Sequence, residues 1–374
     1  MKILTLNYEF PPVGGGAAPV TLELCRNLVQ QGHHVDVVTM HYKDLPRYEI
    51  VDGIHVYRTP ALRKQPNICH THEMITYAPG AIGRILKLIR EIRHDVIHCH
   101  FLIPSGPLAL SISKLTGVPY VVTAHGSDVP GYNPDRFQFQ HKITKPILKA
   151  VCKHAQAVTS PSLYLKGLME KNIGPYPIHH IPNGIDVKGL GWDLSRPKEN
   201  VILSTGRLLK RKGFQTLIKA VHDRELPFEV HLAGDGPYRE ELERLAQNSQ
   251  TKIVFHGWLD PDSKELKDLY ERASIFVLLS SNENASVSLL EGMAAGCVVI
   301  TSNVSGCPET VGDAGFLVEC DDIKSLGGIL RTLAEDSQLI NQYAERAIAR
   351  INERFLWKEI TQTYLETYGY KSEQ

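Results

Sequence analysis

The strongest constraint on the fold is the alternation of short apolar runs with helical patterns along the chain. The runs are, in order, KILTLN, HVDVVTM, IHVYRT, DVIHCH, VPYVVTAH, QAVTS and IHHIPN, followed after Asn183 by VILSTG, FEVHLAG, KIVFHG, SIFVLLS, CVVITS and GFLVE. Between the runs, apolar residues such as Val20, Leu24 and Leu28 recur at helical spacing. This alternation predicts α/β structure with two doubly wound, Rossmann-like parallel sheets.

The expected domain boundary lies in the segment from Asn183 to Asn200. This segment is rich in Gly and polar residues and separates two strand runs. A chain of 374 residues also exceeds what one core of ordinary size holds. We therefore place the N-terminal domain at 1–182 and the C-terminal domain at 183–354.

Composition and charge exclude several classes of protein. The formal net charge is +0, which gives no support for a nucleic-acid partner. No apolar run reaches the length of about 18 residues expected of a membrane span. The start MKILTLNYEFPP is too soon broken by prolines for a signal peptide, and seven scattered cysteines without C-x-x-C suit a reducing compartment. A soluble, cytoplasmic protein is expected.

Glycines follow the first predicted strand, where ligands of open parallel sheets bind. Gly14, Gly15 and Gly16 let backbone N–H groups and a helix N-terminus approach an anion, although a plain turn is an alternative. Pro19 interrupts the G-x-G-x-x-G pattern, and no acid ends the second strand. NAD binding is therefore rejected.

Two cations follow the strand VILSTG. Arg207 and Lys212 lie at a strand–helix junction, where a guanidinium and an ammonium can clamp the two phosphates of a diphosphate. The alternative is a solvated basic turn, as expected for Lys210 and Arg211.

The stretch SSNENASVSLLEGMAAG carries two acids in an otherwise small and apolar segment. It predicts a loop with Glu283, then a helix capped by Ser286 and ended at Gly296, with Glu291 about five residues in. The helix N-terminus would face an anion between the two carboxylates. This suggests a linear ligand with a diphosphate and hydroxyl groups on either side, or, alternatively, two unrelated glutamates.

In order and spacing, these motifs resemble glycosyltransferase family 4, retaining enzymes of the GT-B fold that use nucleotide-sugar donors. The resemblance covers nearly the whole chain. It is carried by PPVGGG, RNLVQQGHHVDVVT, DVIHCH, VPYVVTAHGSD, IPNGID, GRLLKRKG, LAGDGPYREELERLA, VFHGWL, Glu283-x7-Glu291 with GMAAG, and SGCPETVGDAGFLV. It implies an acceptor-binding and a nucleotide-sugar-binding domain facing across a cleft, with the C-terminal helix at 355–374 packing back on the first.

The resemblance also implies residue roles at the nucleotide end of the donor. Arg207 and Lys212 hold the diphosphate, aided by backbone at Gly15 and Gly16. Glu291 binds the ribose hydroxyls. Phe255–Gly257, which includes His256, lies by the nucleobase.

At the sugar end, Glu283 holds the transferred sugar, and His125 lies beside it. The backbone of the following loop supports the sugar and its phosphate through Asn284, Ala285, Ser286 and Val287. The expected catalytic residues are His125, Glu283, Arg207 and Lys212. Many relatives have Gly-Phe-Gly where this chain has Asn284-Ala285-Ser286, which leaves the donor sugar open. The donor is expected to be UDP- or GDP-linked, and no metal or other cofactor is expected.

The implied function is transfer of a hexosyl or related sugar to a glycan, lipid-linked or small-molecule acceptor in cell-surface polysaccharide or glycolipid biosynthesis. A GT-B sugar-nucleotide epimerase and a binding-only protein with a vestigial site are the alternatives. Basic residues at helical spacing suggest peripheral contact with the cytoplasmic membrane face, or an ordinary solvated surface. They are Arg84, Lys87, Arg90 and Arg93 in one helix, and Lys142, Lys145, Lys149 and Lys153 in another.

Two short motifs resemble metal sites but fit them poorly. Asp260–Asp262 matches Asp-x-Asp, yet a turn and helix start are the preferred interpretation. Cys69–Glu73 (CHTHE) lacks a second ligand pair at zinc spacing and is interpreted as a polar loop. His98 and His100 share one strand face and are interpreted as hydrogen-bonded structural histidines.

Overall fold

The computed structural model describes residues 1–133 and 138–371, with the side chains of all of these except 138–142. The chain divides into two compact units, one of Met1–Asn183 with Trp357–Gln374 and one of Gly184–Leu356. The observed boundaries follow Asn183 and Leu356. The expected boundaries, after residues 182 and 354, lie one and two residues earlier.

Helices and strands alternate through both units. The first elements are β1 (Lys2–Leu6), α1 (Ala17–Gln30), β2 (His34–Met40), β3 (Tyr48–Val51), β4 (Ile54–Thr59), α2 (Thr71–Met74), α3 (Tyr77–Ile92), β5 (Val96–His100), α4 (Ser105–Thr116), β6 (Tyr120–Thr123), α5 (Gln138–His154), β7 (Ala157–Ser160), α6 (Leu163–Asn172) and β8 (Ile178–His180). They are followed by β9 (Glu199–Thr205), a 3₁₀ turn (Lys210–Lys212), α7 (Phe214–His222), β10 (Glu229–Ala233), α8 (Arg239–Ala246), β11 (Ile253–Gly257), α9 (Lys264–Arg272), β12 (Ala273–Leu278), α10 (Val287–Ala294), β13 (Val298–Ser302), α11 (Cys307–Val311), β14 (Gly315–Val318), α12 (Ile323–Glu335), α13 (Ser337–Arg354) and α14 (Trp357–Thr367).

The sheet of the first unit has the strand order β3-β4-β2-β1-β5-β6-β7-β8 among the described residues. Its pairings are parallel, except that β3 runs antiparallel to β4. The sequence interpretation missed β3. Its signal is the Asp52-Gly53 pair, which joins Val51 to Ile54 with both φ angles positive, as a two-residue hairpin turn requires.

Helices cover this sheet and bury its apolar residues. Leu4 and Ile97 of the sheet belong to one core cluster with Ile85 of α3 and Leu108 of α4. The last helix, α14, packs against α1. The buried side chains of α14 are Trp357, Ile360, Thr361, Tyr364 and Leu365.

The sheet of the second unit is parallel and has the order β11-β10-β9-β12-β13-β14 among the described residues. The chain adds β10 and β11 on one side of β9, then returns to add β12 on the other. This reversal creates a crevice beyond the carboxyl ends of β9 and β12. The corresponding reversal in the first unit lies between β1 and β5.

A glycine sets how closely α10 approaches its sheet. A Cβ at Gly292 would lie 2.5 Å from Cγ of Phe276 on β12, nearer than real contacts allow. Glu291, the preceding residue, is therefore carried close to the strand. No helix in the described part of the chain has both the length and the apolar character needed to cross a bilayer.

Candidate active site

The topology of the second sheet brings Lys212 and Glu283 into contact. Lys212 follows β9, and Glu283 follows the neighbouring strand β12. Lys212 Nζ forms an ion pair with Glu283 Oε1, and Ser280 Oγ donates to the same oxygen at 2.7 Å. The two charged side chains are only 17% and 12% exposed. A cation and an acid assigned to the same donor from the sequence are thus direct neighbours.

Gly213 makes this approach of the two loops possible. It has a φ of +76°, and a Cβ there would lie 2.1 Å from the carbonyl oxygen of Leu279. Only glycine avoids both the strained φ and the clash. The loops are also joined by the N–H of Ser281, which donates to the carbonyl of Arg211 at 2.8 Å.

Glu291 is half-buried and held by a tyrosine that the sequence interpretation missed. The hydroxyl of Tyr270, on α9, donates to Glu291 Oε2 at 2.6 Å and lies 3.1 Å from Thr205 Oγ1 at the end of β9. Burial raises the pKa of Glu291, although the bond from Tyr270 lowers it. The bond orients the carboxylate, and it involves Oε2 alone.

The loop before α10 differs in one detail from the prediction. Ser286 occupies the N-cap position, but its hydroxyl lies 3.0 Å from Ser288 Oγ and caps no backbone N–H. The predicted N-cap position of Ser286 is confirmed, although its side chain makes no capping bond. The carbonyl of Glu283 accepts the N–H of Gly306 at 3.0 Å, which ties this loop to the segment after β13. Asn284 is buried, and Ala285, Ser286 and Val287 are half-buried.

Arg207 and His256 lie at other strand ends of the same sheet. The side chain of Arg207 is exposed after β9 and makes no hydrogen bond or ion pair with a residue that the structure describes. His256, on the edge strand β11, bonds to Glu265 through Nδ1 and to His231 through Nε2, each at 2.9 Å. Among the described residues, no hydrogen bond or ion pair joins either side chain to the Lys212–Glu283 pair.

In the first unit, the glycine loop after β1 is tied to a buried acid. The N–H of Gly15 donates to Glu9 Oε2 at 2.9 Å, and Arg63 lies 3.6 Å from Glu9 Oε1. Burial raises the pKa of Glu9, while the bond from Gly15 and the charge of Arg63 lower it. Gly16 is the N-cap residue of α1. A phosphate at this loop would have to compete with the Glu9 carboxylate, which the sequence interpretation did not include.

His125 follows β6, and Asp128 fixes its backbone. Asp128 accepts the N–H groups of His125 at 3.0 Å and Gly126 at 2.9 Å on one oxygen, and that of Leu102 at 2.7 Å on the other. Burial raises the pKa of Asp128 to about 6, although these N–H groups lower it. The loops after β5 and β6 are thereby joined at a single carboxylate. Asp128 is the last residue of the motif VPYVVTAHGSD, so the sequence contained a signal for this contact.

A buried polar chain connects His125 to the C-terminal segment. His100 Nδ1 lies 3.0 Å from His125 Nε2, and the rings of His98 and His100 lie 4.3 Å apart. His98 bonds to Thr123 and to the hydroxyl of Tyr368, each at 2.7 Å. These contacts confirm the prediction that His98 and His100 share a strand face.

These histidines are neutral near pH 7. Burial lowers the pKa of His98 and of His125 to about 3 and lowers the pKa of His100 well below its usual value. The His125 imidazole is therefore uncharged at neutral pH and can form hydrogen bonds.

Acidification from pH 7 to 5.5 should destabilise the protein. His98, His100 and His125 remain neutral when folded but protonate near pH 6.5 when unfolded, so stability falls by about 1 kcal/mol for each. Asp128 takes up a proton in the folded state near pH 6 and opposes part of this loss. We expect a net decrease of about 2–3 kcal/mol in the free energy of unfolding, measured by urea denaturation. An unchanged pH dependence in a His98→Gln, His100→Gln variant would contradict this assignment.

The two short acidic and histidine motifs have structural roles. Asp260 Oδ1 accepts the N–H of Asp262 at 2.9 Å, and Ser263 then caps α9, which confirms the turn and helix start. Glu73 accepts the N–H groups of His70 and Lys64 at 2.7 and 2.9 Å. The predicted polar loop at Cys69–Glu73 is thus wrong in part, because it contains the capped turn α2.

Comparison with known proteins matches each unit to a glycosyltransferase family model. Residues 14–188 match the family Glycosyltransferase Family 4, and residues 193–350 match Glycosyl transferases group 1. The chain is 29% identical to an uncharacterized glycosyltransferase of Methanocaldococcus jannaschii over 98% of each chain.

Solved structures share the fold. Sucrose-phosphate synthase from Thermosynechococcus elongatus superposes with a TM-score of 0.83 at 21% identity, over 99% of this chain and 98% of that one. The Anabaena protein HepE in complex with UDP-glucose has a TM-score of 0.74 at 19% identity, over 99% of each chain. The fold is therefore GT-B, and the chain belongs to the family 4 glycosyltransferases, with a Family 4 domain followed by a group 1 domain.

Proposed function

We propose that this glycosyltransferase moves a hexosyl or related sugar from a nucleotide-diphosphate sugar to a glycan, lipid-linked or small-molecule acceptor, with retention of configuration. The observation that carries the proposal is the Lys212–Glu283 pair in the crevice of the second sheet, with Glu291 anchored on the following helix. We assign the donor to the second unit and the acceptor to the first.

The charges in this crevice suit a diphosphate flanked by hydroxyl groups. Lys212 and Arg207 follow β9 and supply positive charge for phosphate oxygens. Glu291 presents a carboxylate that Tyr270 already orients, which suits the paired hydroxyls of a ribose. The UDP-glucose bound to HepE supports a uridine donor. We keep His256 as the residue beside the base.

Donor binding requires an exchange of partners at Lys212. Its ammonium is engaged by Glu283, so an arriving phosphate replaces that carboxylate as the counter-charge. Glu283 is then released to accept hydroxyl groups of the transferred sugar, still oriented by the bond from Ser280. One ion pair thus holds both groups in place before the donor arrives.

In the transfer step, the bond between the anomeric carbon and the phosphate oxygen breaks, and a bond to the acceptor oxygen forms on the same face. The acceptor proton passes to the leaving phosphate, whose charge Lys212 and Arg207 stabilise. No separate general base and no metal are required. Neutral His125 of the first unit is assigned to hydrogen bonding with the sugar.

A donor screen followed by a product assay tests the proposal. Thermal shift across UDP- and GDP-sugars identifies the donor, and chromatography then separates nucleoside diphosphate, free sugar and transferred sugar. We expect transferred sugar with full activity in EDTA. Free sugar without transfer to any acceptor would support an epimerase, binding without turnover a vestigial site, and rescue by Mn²⁺ the Asp-x-Asp alternative.

We further propose that the first unit touches the anionic cytoplasmic membrane face, which suits a lipid-linked acceptor. The basic residues of α3 are exposed, as are Lys145, Lys149 and Lys153 of α5; the side chain of Lys142 lies outside the described residues. Ile143 and Ile147 are 60% and 44% exposed on the same helix. Leu148 and Val151 of this helix belong to the core.

Flotation with anionic vesicles checks this contact. Each basic residue near an anionic surface contributes about 1 kcal/mol, so a Lys145→Ala, Lys149→Ala variant should partition roughly 30-fold more weakly. A Lys219→Ala, Lys324→Ala variant removes two exposed lysines of the second unit and should behave as wild type. Flotation that is independent of anionic lipid content would eliminate the membrane contact.

A further inference from the structure

A cluster of two histidines and one aspartate lies at the amino ends of the first sheet, away from the glycine loop. His34 begins β2, Asp36 follows two residues later, and His94 precedes β5. His34 pairs with Lys2 at the start of β1, whereas the glycine loop follows Leu6 at its end. β2 and β5 flank β1 on opposite sides, so the cluster spans three strands.

The three side chains converge on one point. Oδ2 of Asp36 lies 2.8 Å from His34 Nε2 and 2.7 Å from His94 Nε2. One nitrogen or oxygen from each residue lies within 4.8 Å of the others. Asp36 and His94 have fully buried side chains, and the side chain of His34 is 34% exposed.

Hydrogen bonds within the cluster engage Asp36 Oδ2 and both Nε2 atoms but leave two of its other polar atoms without a partner in the described part of the chain. Asp36 Oδ1 and His94 Nδ1 are buried, and neither has a partner among the residues that the structure describes. Buried polar atoms without partners are rare in folded proteins and each is destabilising. A carboxylate with one unused oxygen, beside two imidazoles, has ligand capacity that the fold leaves open.

We propose that His34, Asp36 and His94 bind one divalent ion of the zinc class. Two imidazole nitrogens and a carboxylate form a donor set that suits Zn²⁺, with a fourth position for water on the exposed side of His34. Zn–N bonds of 2.0–2.1 Å place tetrahedral ligands about 3.3 Å apart. The two histidine–aspartate pairs, now 2.8 and 2.7 Å apart, would open to that separation, and the three ligand atoms already lie within 4.8 Å of one another. Asp36 Oδ1 is available for bidentate binding.

The ion would crosslink two segments of the N-terminal unit. It would join β2 to the segment before β5 across the start of β1, and binding to the folded state alone raises stability by mass action. The cluster lies at the strand ends opposite the glycine loop, so the ion takes no part in sugar transfer. The site is therefore compatible with activity in EDTA at temperatures where the metal-free chain is folded.

Cobalt spectroscopy of the full chain tests the site. Metal-free protein titrated with Co²⁺ should show visible d–d bands at one equivalent, without the near-ultraviolet thiolate band that the cysteines would produce. Zn²⁺ should displace Co²⁺, and Mg²⁺ should not. Excess Zn²⁺ should raise the Tm of the wild-type chain.

His34→Ala is the variant that tests the site. The His34 side chain is partly exposed, so its removal is compatible with folding. Loss of a zinc ligand should weaken Co²⁺ binding by at least about 100-fold, since even loss of a ligand's hydrogen-bond partner has an effect of 10–100-fold. It should also abolish the Zn²⁺-dependent rise in Tm. His41→Ala, just beyond the other end of β2, is the matched control and should bind as wild type. Absence of the d–d bands, a thiolate band, or unchanged binding by His34→Ala would overturn the proposal.

Discussion

Replacing Lys212 by Met should lower kcat by about 10²–10³-fold, the effect of removing one donor that stabilises charge in a transition state. The ammonium is the group placed to stabilise the leaving diphosphate, and Met retains most of the side-chain length. Steady-state kinetics with the identified donor measures the effect. Lys210→Met, in the same 3₁₀ turn but with an exposed side chain, is the matched control and should retain wild-type kcat.

The same substitution should also reduce stability, and a second variant separates the two effects. Glu283 is left as a largely buried carboxylate without its counter-ion, which destabilises by about 3 kcal/mol. Lys212→Met with Glu283→Gln removes the unpaired charge and should recover most of that loss in urea denaturation. Its kcat should stay at or below that of the single variant. Recovery of activity together with stability would show that Lys212 has only a structural role.

The second large effect is expected from Glu291, whose removal should weaken binding of the bare nucleoside diphosphate by roughly 10- to 150-fold. A hydrogen bond to a charged group is worth about 1.5–3 kcal/mol, and Glu291→Ala removes the carboxylate assigned to the ribose. Calorimetry with the nucleotide alone measures the loss without any acceptor. Glu291→Gln keeps an oxygen for Tyr270, removes the charge, and so shows whether lost packing explains the result.

Glu283→Gln should lower kcat without weakening nucleotide binding, the opposite of the effect expected for Glu291→Ala. The change releases Lys212 from its ion pair, so the bare nucleoside diphosphate should bind as well as in wild type or more tightly. Its defect should appear in kcat, because the transferred sugar is positioned most critically as its bond breaks. Equal losses of nucleotide affinity in the Glu291 and Glu283 variants would contradict the division of roles between them.

Much of the architecture was accessible from local patterns. Strand runs have a period of two and helices a period of about 3.6, so the order of the main elements and the location of the unit boundary follow from neighbouring residues alone. The positions of Arg207 and Glu283 after predicted strands, of Gly15 in the loop before the first helix and of Glu291 on a helix were also accessible in this way. The hairpin strand β3 was missed although its Asp-Gly turn is a local signal.

Contacts between distant residues required the tertiary structure. Lys212 and Glu283 are 71 residues apart, and they meet because β9 and β12 are neighbours in the sheet, which no periodicity reports. Glu291 was located from the sequence, but its partner Tyr270 comes from another helix.

Contacts within the first unit also required the tertiary structure. The sequence by itself determined that glycines follow β1 and that a histidine follows β6. Only the fold decided that Glu9 engages the glycine loop and that Asp128 holds the backbone of His125. It also brought His34, Asp36 and His94 together from two separate segments. The physical reason is that local sequence governs backbone conformation, whereas strand order and burial decide which polar groups must find partners in one another.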